Sequence, residues 1–454
     1  MDKIQLLQSR KEKLMAAGKD VRKDIESIID EQSFVELSAF SFSKNDFYGE
    51  NAEGEGVVTG FATIDGFPFY IVAQNFSVLS GGLSKAACDK ICKCLAQAEK
   101  NSTPVIYLLQ SNGVQIGEGV TVLEGLAELL LKVTQLKGVV PQYVIVNGNV
   151  LGSEALIAAA ADFTFFTDKS VLAVNAPFVL SAKAGKNLKA EEVGGVAALD
   201  KTNVPSFVVK DIEEAKNIIV KLNSLLFVDE EEASEVEMNN SVPALNQTVN
   251  VENLKNIFEE YVEVGANSCN DVKTVLGRIG GTAVAAVIFD GEDGGVYLTA
   301  NKMKKIKDFA ELACCYQLPF VTFTDTLGIC PCMATNNSTV LKETAEYLSM
   351  LDAIDTAKIA VVYKKAIGLG YSLFAAKSAG FDYACAFANA KIALFDSVQG
   401  AEIEFGKSDE KITRKYADEN SDPVNAAKDG YIDAVIEPQF VKQYLIAALQ
   451  MLTK

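Results

Sequence analysis

The chain has 454 residues, more than one compact core usually organises, so two or three domains are expected. It contains no histidine and no tryptophan. The missing imidazole excludes Ser-His-Asp and Cys-His nucleophile systems, histidine-ligated zinc and histidine proton shuttles. Sixty acidic residues against 42 basic ones give a formal net charge of −18, which disfavours binding to nucleic acids and anionic membranes.

The nine cysteines are an odd number and lie in apolar surroundings, which is typical of reduced thiols in a cytosolic protein. The two close pairs, Cys92 with Cys94 and Cys330 with Cys332, lack the spacer of a structural zinc site, so no metal site is predicted. The N-terminal residues start a charged helical pattern and no run approaches the ~18 apolar residues of a membrane span. These features predict a cytoplasmic protein.

In chain order, residues 1–30 predict an amphipathic helix rich in charged side chains. Strand-like runs follow at 56–60 and 67–73. Helical patterns rich in Ala, Leu and Lys then alternate with short apolar runs such as 104–109 and 142–146. Helices that alternate with short β-branched strands indicate a layered α/β fold.

The clearest break in the pattern is an acidic, polar run between residues 229 and 241. Such a run is typical of an exposed connecting segment. The sequence therefore predicts an N-terminal domain at 1–228, an acidic linker at 229–250 and a C-terminal domain at 251–454.

The second half of the chain repeats the first. The run from Pro104 to Gly113 corresponds to that from Pro319 to Gly328, and both ends are displaced by 215 positions. A second run, 141–152, corresponds to 357–368 with both ends displaced by 216 positions. Four landmarks at nearly one offset indicate a duplicated domain of about 220 residues instead of a short-period repeat.

In each copy, a strand ends in a glycine-containing turn that begins a helix. The turns are NGNVLGSEA at 147–155 and KKAIGLGY at 364–371. Small residues at a helix start let a ligand approach backbone N–H groups, and the helix dipole favours negative charge there. Such a turn suits an oxyanion hole for a thioester enolate, whereas tight packing of helix on strand is an alternative reason for the same glycines.

These residues resemble the carboxyltransferase subunits of biotin-dependent acyl-CoA carboxylases, which share the crotonase fold. The resemblance extends over nearly the whole chain, and both the order of segments and the duplication match. Its most characteristic stretches are SNGVQIGEG at 111–119, GVVPQ at 138–142, PFVTFTDTLG at 319–328 and KAIGLGY at 365–371. The resemblance implies an α/β protein with two tandem crotonase-like (ClpP/crotonase) ββα-superhelix domains that arose by internal duplication.

The resemblance also implies a mechanism. Carboxybiotin on a separate carrier protein releases CO2 between the N-domain of one protomer and the C-domain of another. Biotin then removes the α-proton of a short acyl-CoA, and the enolate takes up the CO2. One oxyanion hole holds the thioester oxygen, and the other holds the biotin ureido oxygen. On this chain the first hole corresponds to the amides of Gly152 and Ser153, and the second to those of Leu369 and Gly370.

Further binding positions and partners follow from the same resemblance. The substrate-binding positions are Asn112, Gly113, Gly328, Gly368, Tyr371 and Ser372. The expected cofactor is biotin on the carrier, with a CoA thioester as substrate and no metal. The expected partners are the biotin carboxyl carrier protein and a biotin carboxylase subunit, and the chain is expected to form a homo-oligomer, either a dimer or a trimer of dimers.

Several positions depart from the family pattern. The departures are Gln115 in place of Arg, Ser153, Leu369 in place of Gly, Ser372 in place of Asp, and the acidic Glu154 beside the first turn. Backbone amides survive such side-chain changes, so activity is compatible with them. Two alternatives stay open: the α subunit of a biotin-dependent, sodium-pumping acyl-CoA decarboxylase, and a diverged non-catalytic subunit of a hetero-oligomer.

Overall fold

A computed structural model describes residues 2–41, 52–199, 202, 204–227, 240–292 and 294–453. The chain divides into two compact units, Met1–Asn223 and Ser224–Lys454.

The predicted linker at 229–250 is only partly described, since residues 229–239 lie outside the described residues. Its remainder packs within the second unit: Val242 N–H donates to Gln439 O at 2.8 Å, and Leu245 is fully buried.

The first unit contains one sheet of eight strands among its described residues. The strands are β1 (Val35–Leu37), β2 (Val57–Ile64), β3 (Phe67–Gln74), β4 (Val105–Ser111), β5 (Gln142–Leu151), β6 (Phe163–Phe166), β7 (Val171–Ala173) and β8 (Phe207–Val208). Their order is β1-β2-β3-β4-β5-β6-β8, and β7 pairs with β5. Strands β1 to β3 are antiparallel, whereas the pairs from β3 to β8 are parallel because helices connect most of them.

Nine α-helices are described up to residue 227, and they lie before, between and after these strands along the chain. They are α1 (Lys3–Ala17), α2 (Lys19–Ile28), α3 (Lys85–Lys100), α4 (Val120–Leu136), α5 (Ala155–Ala160), α6 (Pro177–Ala184), α7 (Ala190–Gly194), α8 (Val196–Leu199) and α9 (Ile212–Phe227). Helices α3 and α4 contribute fully buried side chains such as Leu95 and Leu129 to a core shared with Val144 of β5. Each large apolar side chain buried in this way contributes roughly 1.5–3 kcal/mol to folding.

The prediction of one helix over 1–30 is wrong at Gly18, where α1 ends and α2 begins. A Cβ at this position would lie 1.9 Å from the guanidinium of Arg22. The same guanidinium donates to Leu14 O at 3.3 Å, and it forms an ion pair with Glu36 at 2.8 Å. Glycine therefore leaves room for Arg22 to satisfy the end of α1.

The second unit contains one sheet of nine strands among its described residues. The strands are β9 (Tyr261–Val264), β10 (Val272–Ile279), β11 (Thr282–Phe289), β12 (Val296–Leu298), β13 (Phe320–Ile329), β14 (Lys358–Ile367), β15 (Tyr383–Phe387), β16 (Lys391–Ala393) and β17 (Ala434–Ile436). Their order is β17-β15-β14-β13-β11-β10-β9, with β12 paired to β13 and β16 paired to β14.

The helices described after residue 239 complete this unit. They are α10 (Ala244–Gln247), α11 (Val251–Leu254), α12 (Ala300–Cys315), α13 (Met333–Asn336), α14 (Val340–Ala353), α15 (Leu369–Phe374), α16 (Ser397–Phe405), α17 (Glu410–Asn420), α18 (Pro423–Lys428) and α19 (Val441–Leu452). Strand β10 begins 215 positions after β2, α12 begins 215 positions after α3, and β14 begins 216 positions after β5. The structure therefore confirms the predicted duplication.

The duplication extends to a buried lysine at equivalent positions of α3 and α12. Lys90 Nζ donates to Gly54 O and Val57 O in the first unit. Lys305, 215 positions later, is 5% exposed, and its Nζ donates to three carbonyl oxygens of the second unit, at 2.7–2.8 Å. Burial lowers the pKa of each lysine to about 8. The Lys90 amine thus links α3 to the segment at the start of β2, and the Lys305 amine links α12 to the segment at the start of β10.

Replacement of Lys305 by Met is expected to lower the free energy of unfolding by about 3 kcal/mol or more, since three carbonyl oxygens lose a buried donor. Thermal unfolding measures the effect as a lower Tm. The matched control is Lys304→Met, which removes a half-exposed ion pair with Asp308 worth about 0.5 kcal/mol. Equal Tm shifts in the two variants would contradict the structural role of Lys305.

Candidate active site

The first predicted turn closes the end of β5. After Leu151 the chain enters a 3-10 helix, Gly152–Glu154, which continues into α5. Gly152 has φ +82°, a conformation that favours glycine. The first N–H groups of a helix have no intrahelical acceptor. In the described part of the chain, no carbonyl outside the turn accepts from Gly152 or Ser153, and both residues are partly exposed.

The loop that follows β4 lies against this turn. A Cβ at Gly152 would lie 3.5 Å from Gly113 Cα, and Gly113 itself has φ +113°. The Ser111 hydroxyl accepts from Gly113 N–H at 3.0 Å, and the exposed Asn112 donates its N–H to Ser80 O at 3.2 Å. The structure therefore brings predicted residues Asn112, Gly113, Gly152 and Ser153 to one edge of the first sheet.

Gln115, where the resemblance leads us to expect arginine, stabilises a neighbouring loop. Its Nε2 donates to Leu79 O at 3.0 Å and to Gly82 O at 3.2 Å. Its backbone N–H donates to Leu83 O at 2.8 Å. The Gln115 side chain and backbone thus hold residues 79–83 against the loop that contains Gly113.

Glu154 is buried beneath the first turn and is 0% exposed. Gln74 Nε2 donates to its Oε2 at 2.6 Å, and Leu83 N–H donates to its Oε1 at 3.2 Å. Burial raises the pKa of Glu154 to about 7, although hydrogen bonds from Ser111, Gln74 and Leu83 act in the opposite direction. The carboxyl group is therefore largely protonated below neutral pH. Its position in the sequence suggested that it would repel an oxyanion at the first turn, and protonation limits that repulsion.

The buried carboxyl of Glu154 should make stability depend on pH. Between its ordinary pKa of 4.5 and its folded value of about 7, the folded chain keeps a proton that the unfolded chain has lost. Stability therefore falls as pH rises through this window, by up to about 3 kcal/mol, and levels off above it. Thermal unfolding from about pH 5 to about pH 8 should show the Tm of Glu154→Gln rising relative to wild type.

The control for this pH dependence is Glu124→Gln, which changes an exposed carboxylate on α4. Its Tm should follow wild type at every pH. A Tm difference between wild type and Glu154→Gln that stays constant from acid to mildly basic pH would contradict the raised pKa.

The second predicted turn closes the end of β14. Gly368 follows Ile367 with φ +55°, and its N–H donates to Ala393 O at 2.9 Å. Leu369 and Gly370 are the first two residues of α15, so their N–H groups have no intrahelical acceptor. The Leu369 side chain is 54% exposed, whereas Gly370 is buried.

Gly328 lies opposite these two N–H groups, as Gly113 lies opposite the first turn. It has φ +82°, and the Thr326 hydroxyl accepts its N–H at 3.1 Å. A Cβ at Gly328 would lie 3.6 Å from Gly370 N and 3.7 Å from Leu369 N. The absence of a side chain at this position therefore leaves open the space in front of both amides.

The last two predicted residues follow the second turn on α15. Tyr371 is half-buried and its hydroxyl donates to Tyr431 O at 3.4 Å. Burial is the main reason that the pKa of Tyr371 is raised. Ser372 is exposed on the same helix. The structure thus brings Gly328, Gly368 and the first four residues of α15 together at one edge of the second sheet.

Sequence reasoning did not identify the hydroxyls of Ser111 and Thr326 or the carboxyl of Asp325. Ser111 and Thr326 are 215 positions apart, and each accepts the N–H of the glycine two residues later. The recurrence of a hydroxyl residue at an offset of 215 positions could have identified Ser111 and Thr326 from the sequence. Asp325 is fully buried, and neither of its oxygens has a hydrogen-bond partner among the described residues.

Asp325 is nevertheless close to positive charge. Its Oδ2 lies 3.9 Å from Lys364 Nζ. Burial raises the pKa of Asp325 to about 6, and the charges of Lys364 and Lys365 partly offset that rise. The equivalent position in the first copy is Gln110, so this charged cluster is specific to the second unit.

Neither a metal cluster nor a membrane span is found in the part of the chain that the structure describes. No group of three or more Cys, Asp or Glu side chains there is arranged to hold a metal ion. No helix there combines the length and the apolar character that crossing a bilayer requires.

Comparison with protein families and curated sequences gives one consistent result. Residues 14–454 match the carboxyl transferase domain. The chain is 28% identical to the methylmalonyl-CoA carboxyltransferase 12S subunit of Propionibacterium freudenreichii subsp. shermanii, covering 97% of this chain and 90% of that protein. It is also 28% identical to the methylmalonyl-CoA decarboxylase subunit alpha of Veillonella parvula, with 98% and 92% covered. Identity to the mitochondrial propionyl-CoA carboxylase beta chain of Rattus norvegicus is 28%, with 95% and 84% covered.

Solved structures agree with this result. The crystal structure of transcarboxylase 12S, a hexamer with methylmalonyl-coenzyme A and methylmalonic acid bound, superposes with a TM-score of 0.88 at 26% identity. The superposition covers 98% of this chain and 94% of that one. The predicted crotonase-like α/β fold is thereby confirmed.

Proposed function

Because this chain belongs to the carboxyl transferase domain family, we propose that it transfers CO2 from carboxybiotin on a separate carrier protein to the α-carbon of a short acyl-CoA. The observation that carries this proposal is the pair of repeat-equivalent turns, each with N–H groups opposite a glycine at positive φ. Negative charge develops on two oxygens in such a transfer, one on each substrate. Two sets of preorganised N–H donors are what that chemistry needs.

The first turn is assigned to the acyl-CoA. The N–H groups of Gly152 and Ser153 donate to the thioester oxygen, and they stabilise the charge that this oxygen carries in the enolate. Gly113 keeps the approach to the turn free of a side chain, and the exposed Asn112 lies beside it. Because these donors are backbone groups of the 3-10 helix that follows β5, they are fixed before the substrate binds.

The second turn is assigned to biotin. The fit of biotin to this turn is supported by the open space in front of Leu369 N and Gly370 N, which a Cβ at Gly328 would fill. Both N–H groups would donate to the ureido oxygen there. Biotin, when bound, supplies CO2 and the base for the α-proton. Tyr371 anchors the helix through Tyr431 O, whereas Gly368 and the exposed Ser372 line the entrance.

The substrate class follows from the relatives. Their names specify methylmalonyl-CoA and propionyl-CoA, so a short acyl-CoA is the proposed acceptor. The proposed partners are a biotin carboxyl carrier protein and a biotin carboxylase subunit in the cytoplasm.

A homo-oligomer is proposed because transcarboxylase 12S is a hexamer. Size-exclusion chromatography with light scattering should therefore give a mass well above the 48.8 kDa of one chain, whereas a stable monomer would contradict this assembly.

A second candidate is the α subunit of a biotin-dependent acyl-CoA decarboxylase, which the methylmalonyl-CoA decarboxylase relative favours. The same two turns would then act in the reverse direction, removing CO2 from the CoA ester. A non-catalytic role is the third candidate, and the departures at Gln115, Ser153 and Leu369 motivate it.

One assay separates the catalytic candidates from the non-catalytic one. The purified protein is mixed with biocytin and with malonyl-CoA or methylmalonyl-CoA, and loss of the CoA ester's carboxyl group is followed. We expect turnover that requires biocytin, since the first two candidates share it. A correctly folded oligomer without turnover on any CoA ester would leave only the non-catalytic role.

A further inference from the structure

Two thiols lie side by side in the loop that follows Gly328. Cys330 and Cys332 have their Sγ atoms 3.1 Å apart, and the Cys330 thiol donates to Cys332. Cys332 is exposed and Cys330 is partly exposed. Other cysteines differ: Cys88 and Cys385 are buried, and burial raises the pKa of each to about 12.

The backbone holds the two sulfurs in this arrangement. Cys330 N–H donates to Leu298 O at 2.9 Å, and Cys332 N–H donates back to Cys330 O at 2.8 Å. Pro331 between them restricts the turn because its ring fixes φ near −65°. A disulfide bond is about 2.05 Å long, so the sulfurs need to approach by about 1 Å to form one.

The pair is accessible from a cleft of about 420 Å³. Its lining includes both cysteines, Met333 and Leu341. Hydrogen bonds with the side chains of Thr335 and Cys330 lower the pKa of Cys332 to about 7. The hydrogen bond to Cys332 is the main reason that the pKa of Cys330 is raised. Cys332 is therefore the nucleophile of the pair near neutral pH, and Cys330 keeps its proton.

We propose that Cys330 and Cys332 form a redox-active dithiol, which a small-molecule disulfide such as glutathione disulfide oxidises to an intramolecular disulfide. The Cys332 thiolate attacks one sulfur of the small disulfide, forms a mixed disulfide and releases one thiolate. Cys330 then loses its proton and attacks the Cys332 sulfur, which displaces the second thiolate. Two protein thiols are oxidised by two electrons, and one small disulfide is reduced to two thiols. The proposal does not rest on the proposed carboxyl transfer, although Cys330 lies two residues after Gly328 of the second site.

The test uses the full-length protein in glutathione buffers of increasing oxidised fraction, followed by alkylation and peptide mass analysis. We expect the peptide with Cys330 and Cys332 to lose both alkylation sites and two hydrogen atoms, without retained glutathione. Cys332→Ser should slow the first thiol loss at this peptide about tenfold or more, because it removes the nucleophile. Cys330→Ser should stop at a glutathione adduct on Cys332.

The matched control is Cys314→Ser, which removes a partly exposed thiol that donates a hydrogen bond to Ala353 O at 3.3 Å. Its oxidation curve at the Cys330 and Cys332 peptide should match wild type. The proposal is overturned if both sulfurs remain open to alkylation at every buffer ratio. It is also overturned if the wild-type protein accumulates only the mixed disulfide.

Discussion

Replacement of Gly152 by Val is expected to reduce carboxyl transfer by about 10²-fold or more, the typical loss when an oxyanion-hole donor is removed. The Val side chain obstructs the approach to the N–H groups of Gly152 and Ser153, and φ +82° disfavours a branched residue, so the turn shifts. The chain should still fold, since a Cβ there meets only Gly113 Cα, at 3.5 Å. Turnover of the CoA ester and circular dichroism measure the two effects.

The control for Gly152 is Gly66→Val. Gly66 has φ +80°, which is nearly the same backbone strain, and a Cβ there has nothing within 4 Å. It lies in the turn between β2 and β3, so its turnover should match wild type even if its Tm falls. Equal turnover in Gly152→Val and wild type would disprove the placement of the first hole.

Replacement of Gly328 by Val is expected to produce a comparable loss at the second turn. Its Cβ would occupy the space 3.6–3.7 Å from the N atoms of Gly370 and Leu369, where the ureido oxygen is proposed to bind. The expected reduction is again about 10²-fold or more, measured as biocytin-dependent turnover. Gly328→Ala should retain more activity than Gly328→Val, because it adds one carbon in place of three.

Gly406→Val is the control for this second turn. Gly406 has φ +69° at the end of α16, and a Cβ there has no neighbour within 4 Å. It therefore reproduces the strain of a side chain at positive φ without blocking the turn. If Gly328→Val and Gly406→Val lose activity equally, strain explains the loss and the second hole is misplaced.

The sequence predicted the parts of the fold that local spacing determines. The offset of 215 to 216 positions identified the duplication, and the glycines at 113, 152, 328 and 368 all have positive φ in the structure. The predicted strand runs coincide with the starts of β2 to β5, although β2 continues to Ile64 and β5 to Leu151. These features could be predicted because turns and strand periodicity depend on residues close together in the chain.

The features that the sequence did not predict depend on distant contacts. Glu154 accepts a hydrogen bond from Gln74, 80 positions earlier. No local pattern indicates that a carboxyl after a glycine turn is buried. The break at Gly18 depends on the Arg22 guanidinium, which forms an ion pair with Glu36, 14 positions after it. The lysines at 90 and 305 read as ordinary helix surface residues, because their buried carbonyl partners lie outside their helices.

The absence of histidine is consistent with the proposed chemistry. Both turns offer backbone N–H groups, and in the proposed reaction the bound cofactor would supply the base for the α-proton. Glu154 beneath the first turn is fully buried, and its oxygens accept hydrogen bonds from Gln74 and Leu83, so it is not an accessible base in place of an imidazole. Its pKa is raised to about 7, so it places no fixed charge beside the oxyanion at acidic pH.

Transfer of a labelled carboxyl group tests the central claim most directly. The protein is incubated with biocytin and methylmalonyl-CoA carrying ¹³C in its free carboxyl group, and the biocytin is analysed by mass spectrometry. Carboxyl transfer through the two turns predicts ¹³C-carboxybiocytin, in wild type but not in Gly152→Val or Gly328→Val. Unlabelled biocytin in every sample, with a correctly folded wild-type oligomer and malonyl-CoA equally inactive, would contradict the assignment.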